Sequence, residues 1–342
     1  MTLLHRPMLA LLLAGSLAPA FAAGTAPATP WHVTHRLAIG GPGGWDYLAV
    51  DAPHHHLFVS RGDRVMVIDT TTGKTAGTIP GTEGVHGIAF DPARREGFTS
   101  DGAAAAVTVF DLDTLKVLAT IRGTGENPDA IAFDPASGHV FTLNGGSHSA
   151  SVIDPAKRTV VATIALPGKP EFAAADGTGH LYVNIEDKSE LAEIDTGKNT
   201  LLRTWPLAPC QSPSGLAFDA AHRRAFSVCD NRVMAVSDVD RGAVVTTVPI
   251  GDGPDAAVFD PGTHTVYSSN GQSGTLTVVH QVDADHYTKA ATVPTQKSAR
   301  TMALDPVTQH IYLSAATLGS RRNARGWPMA VPGSFVVLEL GH

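Results

Sequence analysis

The 342-residue chain lacks the sequence features of several protein classes. It has two cysteines and no C-x-x-C pair, which argues against a cysteine-based metal site. Beyond the first 17 residues, no apolar run is long enough for a membrane-spanning helix. Its 25 Lys and Arg residues are outnumbered by 32 Asp and Glu residues, a net charge of −7, which argues against charge-driven binding to nucleic acid or to anionic membranes. No G-x-S-x-G, H-E-x-x-H, C-x-x-C-H or P-loop pattern is present.

The N-terminal segment has the pattern of a secretory signal peptide. An early arginine precedes an apolar core at residues 8–17, and an A-x-A cleavage pattern occupies positions 20–22. We expect a signal peptide at residues 1–22, a linker at residues 23–30 rich in Thr and Pro, and export, most simply to a bacterial periplasm. Cleavage would remove one arginine and leave a net charge of 24 − 32 = −8.

One phrase recurs along the chain, as "AIAFDP", "GIAFDP", "GLAFDA" and "AAVFDP". Its aspartate returns seven times, at intervals of 40 to 45 residues. A period near 40 residues without a helical pattern is typical of the four-stranded blades of a β-propeller. We therefore predict an all-β, seven-bladed propeller of antiparallel blades as a single domain over residues 31–342. The repeated aspartates are Asp51, Asp91, Asp134, Asp176, Asp219, Asp260 and Asp305.

Each repeat can be divided into four strands. The strand that ends at the aspartate alternates small and large residues, and the strand after the turn is rich in aromatic and β-branched residues. The last repeat has no fourth strand. The segment "HRLAIGG" before the first repeat matches "TTVPIGD" before the sixth, so we expect residues 33–39 to complete the last blade and close the ring.

The repeat units resemble those of a known family. The units "PDAIAFDPASGHVFTLN" and "PDAAVFDPGTHTVYSSN", together with "LYVN" ending at Asn184, resemble the YVTN family of seven-bladed β-propellers, the YncE-like exported proteins. The resemblance extends over residues 31–340. It implies the propeller fold but no single activity, because some members of the family look like ligand or nucleic-acid binders, some serve cell surfaces, and related propellers are lactonases.

The polar residues at one end of the inner strands form a candidate binding site. In an up-and-down blade, the residue five positions before each aspartate lies at the start of the strand nearest the axis. Trp45 and the turn residues Asn144 and Asn270 are expected on the same face, the mouth. The alternative is a hydrated rim whose charges pair with one another, Arg300 with Asp46 and Asp255. The seven rim positions are Asp46, His86, Asp129, Glu171, Ser214, Asp255 and Arg300.

A long connection in the last repeat, residues 315–333, is expected to lie over this mouth. It carries Arg321, Arg322, Arg325 and Trp327, which could clamp an anionic or aromatic ligand as a lid. The alternative is a solvated loop, since connections of this length are either functional or disordered.

Two further features concern cysteine and histidine. Cys210 precedes the inner strand of the fifth repeat and Cys229 ends the next strand, so in an oxidising compartment we expect a disulfide between them. The tract at residues 54–56 has three histidines, but it lies in a turn on the opposite face, and we interpret it as a solvated turn rather than a metal site.

Three functions are compatible with this pattern. The first is a non-enzymatic, monomeric binding protein of the cell envelope that takes a small molecule or an envelope protein at the mouth and needs no cofactor. The second is a metal-dependent, lactonase-like hydrolase, with His86 as the base and Ca²⁺ held by Asp46, Asp129, Glu171 and Asp255. The third is single-stranded nucleic-acid binding through Arg300 and the loop, which the net charge disfavours.

Overall fold

The computed structural model describes residue 2, residues 30–322, residue 326 and residues 328–342. The expected signal peptide, apart from residue 2, and the linker up to residue 29 lie outside these residues, as do Arg325 and Trp327 of the long connection. Residues Trp31–His342 form one compact unit. In the described part of the chain, no helix is long and apolar enough to cross a membrane.

The described residues are almost entirely β-structure, and the strands follow the four positions of the repeat. The first, or inner, strands are β2 (Leu48–Asp51), the second half of β5 (Thr75–Asp91), β9 (Pro128–Asp134), β13 (Pro170–Ala175), β17 (Pro213–Asp219), β21 (Pro254–Asp260) and β25 (Met302–Leu304). The second strands are β3 (His56–Ser60), β6 (Glu96–Asp101), β10 (His139–Asn144), β14 (His180–Ile185), β18 (Arg224–Cys229), β22 (Thr265–Asn270) and β26 (Ile311–Ala315).

The third and fourth strands complete each repeat. The third strands are β4 (Gly62–Asp69), β7 (Ala106–Asp111), β11 (Ser149–Asp154), β15 (Glu190–Asp195), β19 (Val233–Asp238), β23 (Thr275–Gln281) and β29 (Val336–Gly341). The outer strands are the first half of β5, β8 (Val117–Arg122), β12 (Thr159–Ala165), β16 (Thr200–Pro206), β20 (Ala243–Pro249), β24 (Tyr287–Pro294) and β1 (His32–Ala38). Short 3₁₀ turns lie at Ala52–His54, Gly102–Ala104 and Glu186–Lys188.

The strands assemble into five four-stranded antiparallel sheets and one seven-stranded sheet, β2 to β8 in order. In the larger sheet, β5 serves twice, as the outer strand of one repeat and the inner strand of the next. The N-terminal strand β1 pairs with the C-terminal β29, for example Arg36 with Leu338, and so takes the outer position in the sheet of the last repeat. Each inner strand packs against the inner strand of the next repeat, and β25 packs against β2.

The repeated phrase supplies both the turns and the core. The carboxylate of Asp134 accepts hydrogen bonds from the backbone N–H groups of Ala136 and Ser137, which fixes the turn that follows the inner strand. Three of the large residues that precede the aspartate, Phe90, Phe218 and Phe259, pack on an aromatic ring of the preceding repeat. Phe90 lies 5.1 Å from Phe58, measured between ring centroids. The phrase therefore recurs because every repeat needs the same turn and the same contact with its neighbour.

The long connection of the last repeat is not wholly irregular. It forms an antiparallel hairpin of β27 (Leu318–Arg322) and β28 (Pro328–Ala330). The sequence analysis expected a loop over residues 315–333, because the segment lacks the alternating apolar pattern of the blades. Leu318, Met329 and Val331 remain exposed on the hairpin.

Candidate functional site

Five of the predicted rim residues meet in one network at the mouth. Arg300 forms ion pairs with Asp255 and, at 3.2 Å, with Asp46 Oδ1. The other oxygen of Asp46 accepts a hydrogen bond from His86 Nδ1 at 2.6 Å, and Asp129 Oδ1 lies 3.7 Å from the same nitrogen. Asp46 and Arg300 lie two residues before β2 and β25, Asp129 and Asp255 are the second residues of β9 and β21, and His86 lies within β5, so five repeats contribute one side chain each.

Glu171 belongs to a second network, which the sequence analysis missed. Its carboxylate forms an ion pair with Lys169 Nζ at 2.8 Å, although without hydrogen-bond geometry, and Lys169 also pairs with Glu186. Lys169 stands two residues before Glu171 in "GKPEF". Lys169 lies outside the repeated position that predicted the rim, so the period of the repeats does not indicate this cation.

Tyr47 lies beneath the charged networks. Its ring packs against Phe172, with centroids 5.3 Å apart, although the two residues come from repeats one and four. Burial, followed by the charges of Asp129, Glu171, Asp46 and Asp255, raises the pKa of Tyr47 well above its usual value. Tyr47 therefore remains neutral and provides a hydroxyl group amid the carboxylates. The sequence signal for it was its position directly after Asp46 in "WDY".

Burial changes the protonation of the mouth carboxyl groups. It raises the pKa of Asp129 to about 6, against the partial opposition of His86, and that of Glu171 to about 8, with a further contribution from the charge of Asp129. Burial also raises the pKa of Asp255, although the neighbouring charge of Arg300 opposes it. The mouth can therefore hold and exchange protons near neutral pH.

The two cations of the first network respond differently to this environment. Burial alone would lower the pKa of His86, but the hydrogen bond with Asp46 and the charges of Asp129 and Asp46 outweigh it, and the pKa is raised. The charge of Asp255 raises the pKa of Arg300 above its usual value. Arg300 is therefore a permanent cation and His86 a titratable one.

Four predicted residues are near this face but do not present their polar groups to it. Ser214 donates a hydrogen bond to the backbone carbonyl of Pro254 at 2.9 Å. Asn144 and Asn270 are fully buried, and their amides bond to hydroxyl groups within their own sheets. Trp45 packs on Phe335, with ring centroids 5.8 Å apart. These side chains shape the surroundings of the mouth rather than line it.

Segment 40–44 leads into the mouth and is held by Arg61. The guanidinium donates hydrogen bonds to four backbone carbonyls of this segment at 2.9 to 3.3 Å and lies 3.7 Å from the centre of the Phe335 ring. Burial lowers the pKa of Arg61 to about 10. Arg61 thereby fixes the backbone that delivers Trp45 and Asp46.

The cysteines form a disulfide. Cys210, in the segment before β17, is bridged to Cys229 at the end of β18, with their Cα atoms 5.6 Å apart. Both residues are buried. The bridge holds the entry to the fifth inner strand against its neighbouring strand, near the start of β17.

The hairpin that follows β26 carries the remaining predicted arginines. Arg321 and Arg322 are exposed, and Arg322 donates a hydrogen bond to the carbonyl of Gly326 at 2.6 Å. Among the described residues, no hydrogen bond or ion pair joins either arginine to the mouth. Arg325 and Trp327 lie outside the described residues, so the lid remains a prediction.

A cavity of about 470 Å³ lies along the inner strands of repeats three to six. Its walls are mainly apolar and include Phe133, Phe218 and Phe259. Asp176 is the one charged residue among the described residues of its lining, and none of the five residues of the first network lines it.

The histidine tract at residues 54–56 is arranged differently. His54 bonds to Asp51 through Nδ1 at 2.7 Å and to Asp113 through Nε2 at 2.9 Å. The two carboxylates therefore lie on opposite sides of the ring. They do not share a point at which a metal ion could be bound.

The residues that could hold a metal differ from the four carboxylates that the sequence suggested. Asp255 is paired with Arg300, and Glu171 with Lys169. Asp46 also contacts Arg300, but through Oδ1, while its Oδ2 faces His86. Asp46, His86 and Asp129 instead place one ligand atom each within 4.8 Å of one another. In the part of the chain that the structure describes, this is the one such group of three.

Comparison with known proteins supports the fold. No protein-family model and no curated protein sequence matches the chain. The structure is similar to hydrazine synthase from Kuenenia stuttgartiensis, with a TM-score of 0.69, 16% identity, and coverage of 85% of this chain and 96% of that one. It is also similar to the WD40 repeats of RRP9 (TM-score 0.76, 11% identity, 91% and 97% coverage) and to U3-55K (TM-score 0.75, 11% identity, 91% and 98% coverage). At these identities the likeness shows a β-propeller fold and carries no information about activity.

Proposed function

We propose that the chain is a seven-bladed propeller of the exported YVTN, YncE-like kind, with its ring closed by β1. The support is the pairing of β1 with β29 and the packing of β25 against β2, which together leave no gap in the succession of repeats. Counting β5 in both of its repeats gives each of the seven repeats four strands. The predicted signal peptide and the disulfide are consistent with a periplasmic or secreted protein.

The function we propose for this propeller is to bind a small polar ligand, or a polar group of an envelope protein, at the mouth. The observation that carries the proposal is the convergence of charged side chains from separate repeats at one place. Holding buried charges together is costly in free energy, and an arrangement of this kind is typical of binding and catalytic sites. The protein would act as a monomer without a required enzymatic step.

The exposure of the mouth charges indicates how a ligand would be recognised. The side chains of Arg300 and Lys169 are 41% and 37% exposed, whereas those of Asp46, Asp129 and Glu171 are only 15–16% exposed. A ligand would therefore meet the two cations first and the carboxylates below them. Groups of both signs on the ligand, such as an amine with a carboxylate, fit this order of charges.

The test is thermal unfolding of the exported protein with panels of anionic, cationic and zwitterionic small molecules. A ligand that binds only the folded state raises the melting temperature, because binding adds about 2.7 kcal/mol at a hundredfold excess over Kd. We expect a shift with zwitterionic or anionic compounds that is lost in Arg300→Gln and Glu171→Gln. The control is Glu83→Gln, an exposed glutamate outside both networks.

Two results would argue against a ligand site at the mouth. One is a melting-temperature shift that is also lost in Glu83→Gln, and the other is no shift with any class of small molecule.

A second candidate function is metal-dependent hydrolysis of a lactone or ester. The observation that favours it is that Asp46, His86 and Asp129 place one possible metal-ligand atom each within 4.8 Å of one another. A metal ion there could polarise a carbonyl group, while a neighbouring carboxylate could accept a proton from water. Turnover of lactones by the wild type, absent from Asp129→Asn and from EDTA-treated protein, would favour this function over simple binding.

A further inference from the structure

We infer that the mouth holds a first-row divalent transition-metal ion, bound by Asp46 Oδ2, His86 Nδ1 and Asp129 Oδ1. This inference rests on the proposed function, since it specifies one ligand of the same mouth. His86 lies within the inner strand β5, Asp129 is the second residue of β9, and Asp46 lies two residues before β2. The inner strands of repeats one, two and three therefore bring the three side chains together, and Arg61 holds the segment 40–44 that leads to Asp46.

Two carboxylate oxygens lie close to His86 Nδ1, so a single metal ion could contact all three atoms. Asp46 Oδ2 is 2.6 Å and Asp129 Oδ1 is 3.7 Å from this one nitrogen. A ring nitrogen carries a single proton and can donate it to only one acceptor, here Asp46. A metal ion that replaced this proton would contact both carboxylates and the imidazole at once.

The environment of Asp129 is a second reason to infer a bound metal ion. Its side chain is 15% exposed, and its contact with His86 Nδ1 is 3.7 Å, which is an ion-pair distance but too long for a hydrogen bond. A largely buried carboxylate without a hydrogen bond is unfavourable, and such groups usually have a partner. The ion supplies that partner, which neither Lys169 nor Arg300 does, because each of them is bonded to other carboxylates.

The surroundings hold the ligands in position. Arg300 bonds to the Oδ1 atom of Asp46 and leaves Oδ2 directed at His86. Gly102 makes room for the imidazole, because a Cβ atom at this position would lie 2.7 Å from His86 Nε2. Partners that orient the ligands in this way are typical of metal sites.

The ligand set selects the class of ion. One imidazole nitrogen with two carboxylate oxygens suits Zn²⁺ or Mn²⁺, whereas Ca²⁺ prefers six to eight oxygen ligands. Of the four carboxylates that the sequence analysis considered for calcium, Asp255 and Glu171 are paired with Arg300 and Lys169, and we therefore favour the smaller set with one imidazole. Three protein ligands leave at least one coordination position for water or for the polar ligand of the mouth.

The experiment is isothermal titration of ZnCl₂ into the exported, EDTA-stripped protein, in two buffers of different ionisation enthalpy. We expect one Zn²⁺ per chain and a heat that depends on the buffer, because the ion displaces the proton from His86 Nδ1. CaCl₂ should give at least about tenfold weaker binding. Asp129→Asn and His86→Gln should each weaken Zn²⁺ binding by roughly a hundredfold or more, with the thermal transition retained.

The matched control is His54→Gln, which removes another histidine that bonds to two aspartates. Those aspartates contact opposite nitrogens of the His54 ring, so this variant should bind Zn²⁺ like the wild type. An absence of Zn²⁺ binding in the wild type, or equal losses in His54→Gln and Asp129→Asn, would overturn the inference.

Measuring Zn²⁺ binding and the melting-temperature shift on the same protein preparation distinguishes a failure of this inference from a failure of the proposed function. If Zn²⁺ does not bind but a polar small molecule still raises the melting temperature in an Arg300-dependent manner, only the metal inference fails. If neither binds, both fail.

Discussion

Arg61 is a fully buried guanidinium without a carboxylate partner in the described chain. It is compensated by four backbone carbonyls of segment 40–44 and by the face of Phe335. The planar fork of arginine can satisfy several carbonyls at once, which the single ammonium group of lysine cannot do. This residue is therefore structural, although it belongs to a turn on the mouth face.

Replacing Arg61 by lysine should destabilise the protein by about 2–4 kcal/mol, because several carbonyls lose their charged donor. Urea denaturation followed by circular dichroism measures the change in unfolding free energy. Arg64→Lys is the control, since Arg64 reaches only one carbonyl, that of Pro42, and should change the stability by less than about 1 kcal/mol. Equal effects of the two substitutions would show that the four-carbonyl network does not stabilise the fold.

Glu171 should make the stability of the protein depend on pH. Burial raises its pKa from 4.5 to about 8 in the folded state. The folded state thus binds this proton more tightly than the unfolded state, so the unfolding free energy should fall as the pH rises from about 4.5 to about 8. Glu171→Gln removes the group and should flatten that part of the profile.

Urea denaturation of both proteins at several pH values between 5 and 9, in EDTA, tests this expectation. A profile for Glu171→Gln with the same slope as the wild type would contradict the raised pKa. The exposed Glu83→Gln should keep the wild-type slope.

At the scale of structural elements, the disulfide supports the entry to β17. It closes a loop with a sequence separation of 19 residues. A bridge over a loop of this length stabilises the folded state by about 3 kcal/mol, mainly by restricting the unfolded chain.

The double substitution Cys210→Ser with Cys229→Ser should therefore lower the unfolding free energy by about 2–4 kcal/mol. Dithiothreitol should destabilise the wild type to a similar extent and leave the double variant unchanged. An effect of dithiothreitol on the double variant, or none on the wild type, would count against a stabilising bridge.

The strands of the repeats were predictable from the sequence, whereas the hairpin was not. The phrase around Asp134 shows its period, its turn and its alternating pattern over a few residues, and each of these has a local physical cause. The hairpin from Leu318 to Ala330 lacks such a pattern and occurs once, so no repeat reveals it. Local sequence signals therefore predict the strands of the repeats, but they do not predict the structure of an insertion that occurs only once.

The candidate site was predictable in position but not in detail. Counting five residues back from each aspartate found Asp46, His86 and Asp129, because the repeats place equivalent positions together. The same counting did not distinguish Ser214 from ligand-facing residues, and the turn position of Asn144 did not do so either, since the hydrogen bonds of these side chains depend on the direction in which each side chain points. Lys169 was missed because its contribution depends on the length and reach of its side chain.

At the scale of the whole molecule, the proposed ring depends on the strand β1. Its removal would expose the edge of β29, whose residues Leu338 and Leu340 belong to the apolar core. An unpaired strand edge beside apolar residues promotes association between molecules.

A chain that begins at residue 39 should therefore unfold at a lower temperature and self-associate with rising concentration. Analytical ultracentrifugation measures the association. The control replaces residues 318–330 by a short Gly-Ser linker and should remain a monomer, because the hairpin pairs with itself. A monomeric and equally stable truncated chain would contradict ring closure by β1.

The mouth is the proposed ligand site of the whole molecule. The most direct measurement is anomalous X-ray diffraction at the zinc edge from crystals of the exported protein grown with Zn²⁺ and the best small molecule of the thermal-unfolding panel. We predict one strong anomalous peak between Asp46, His86 and Asp129, with the small molecule close to Arg300. An empty mouth that keeps the hydrogen bond from His86 to Asp46, with any zinc bound elsewhere on the surface, would contradict the account.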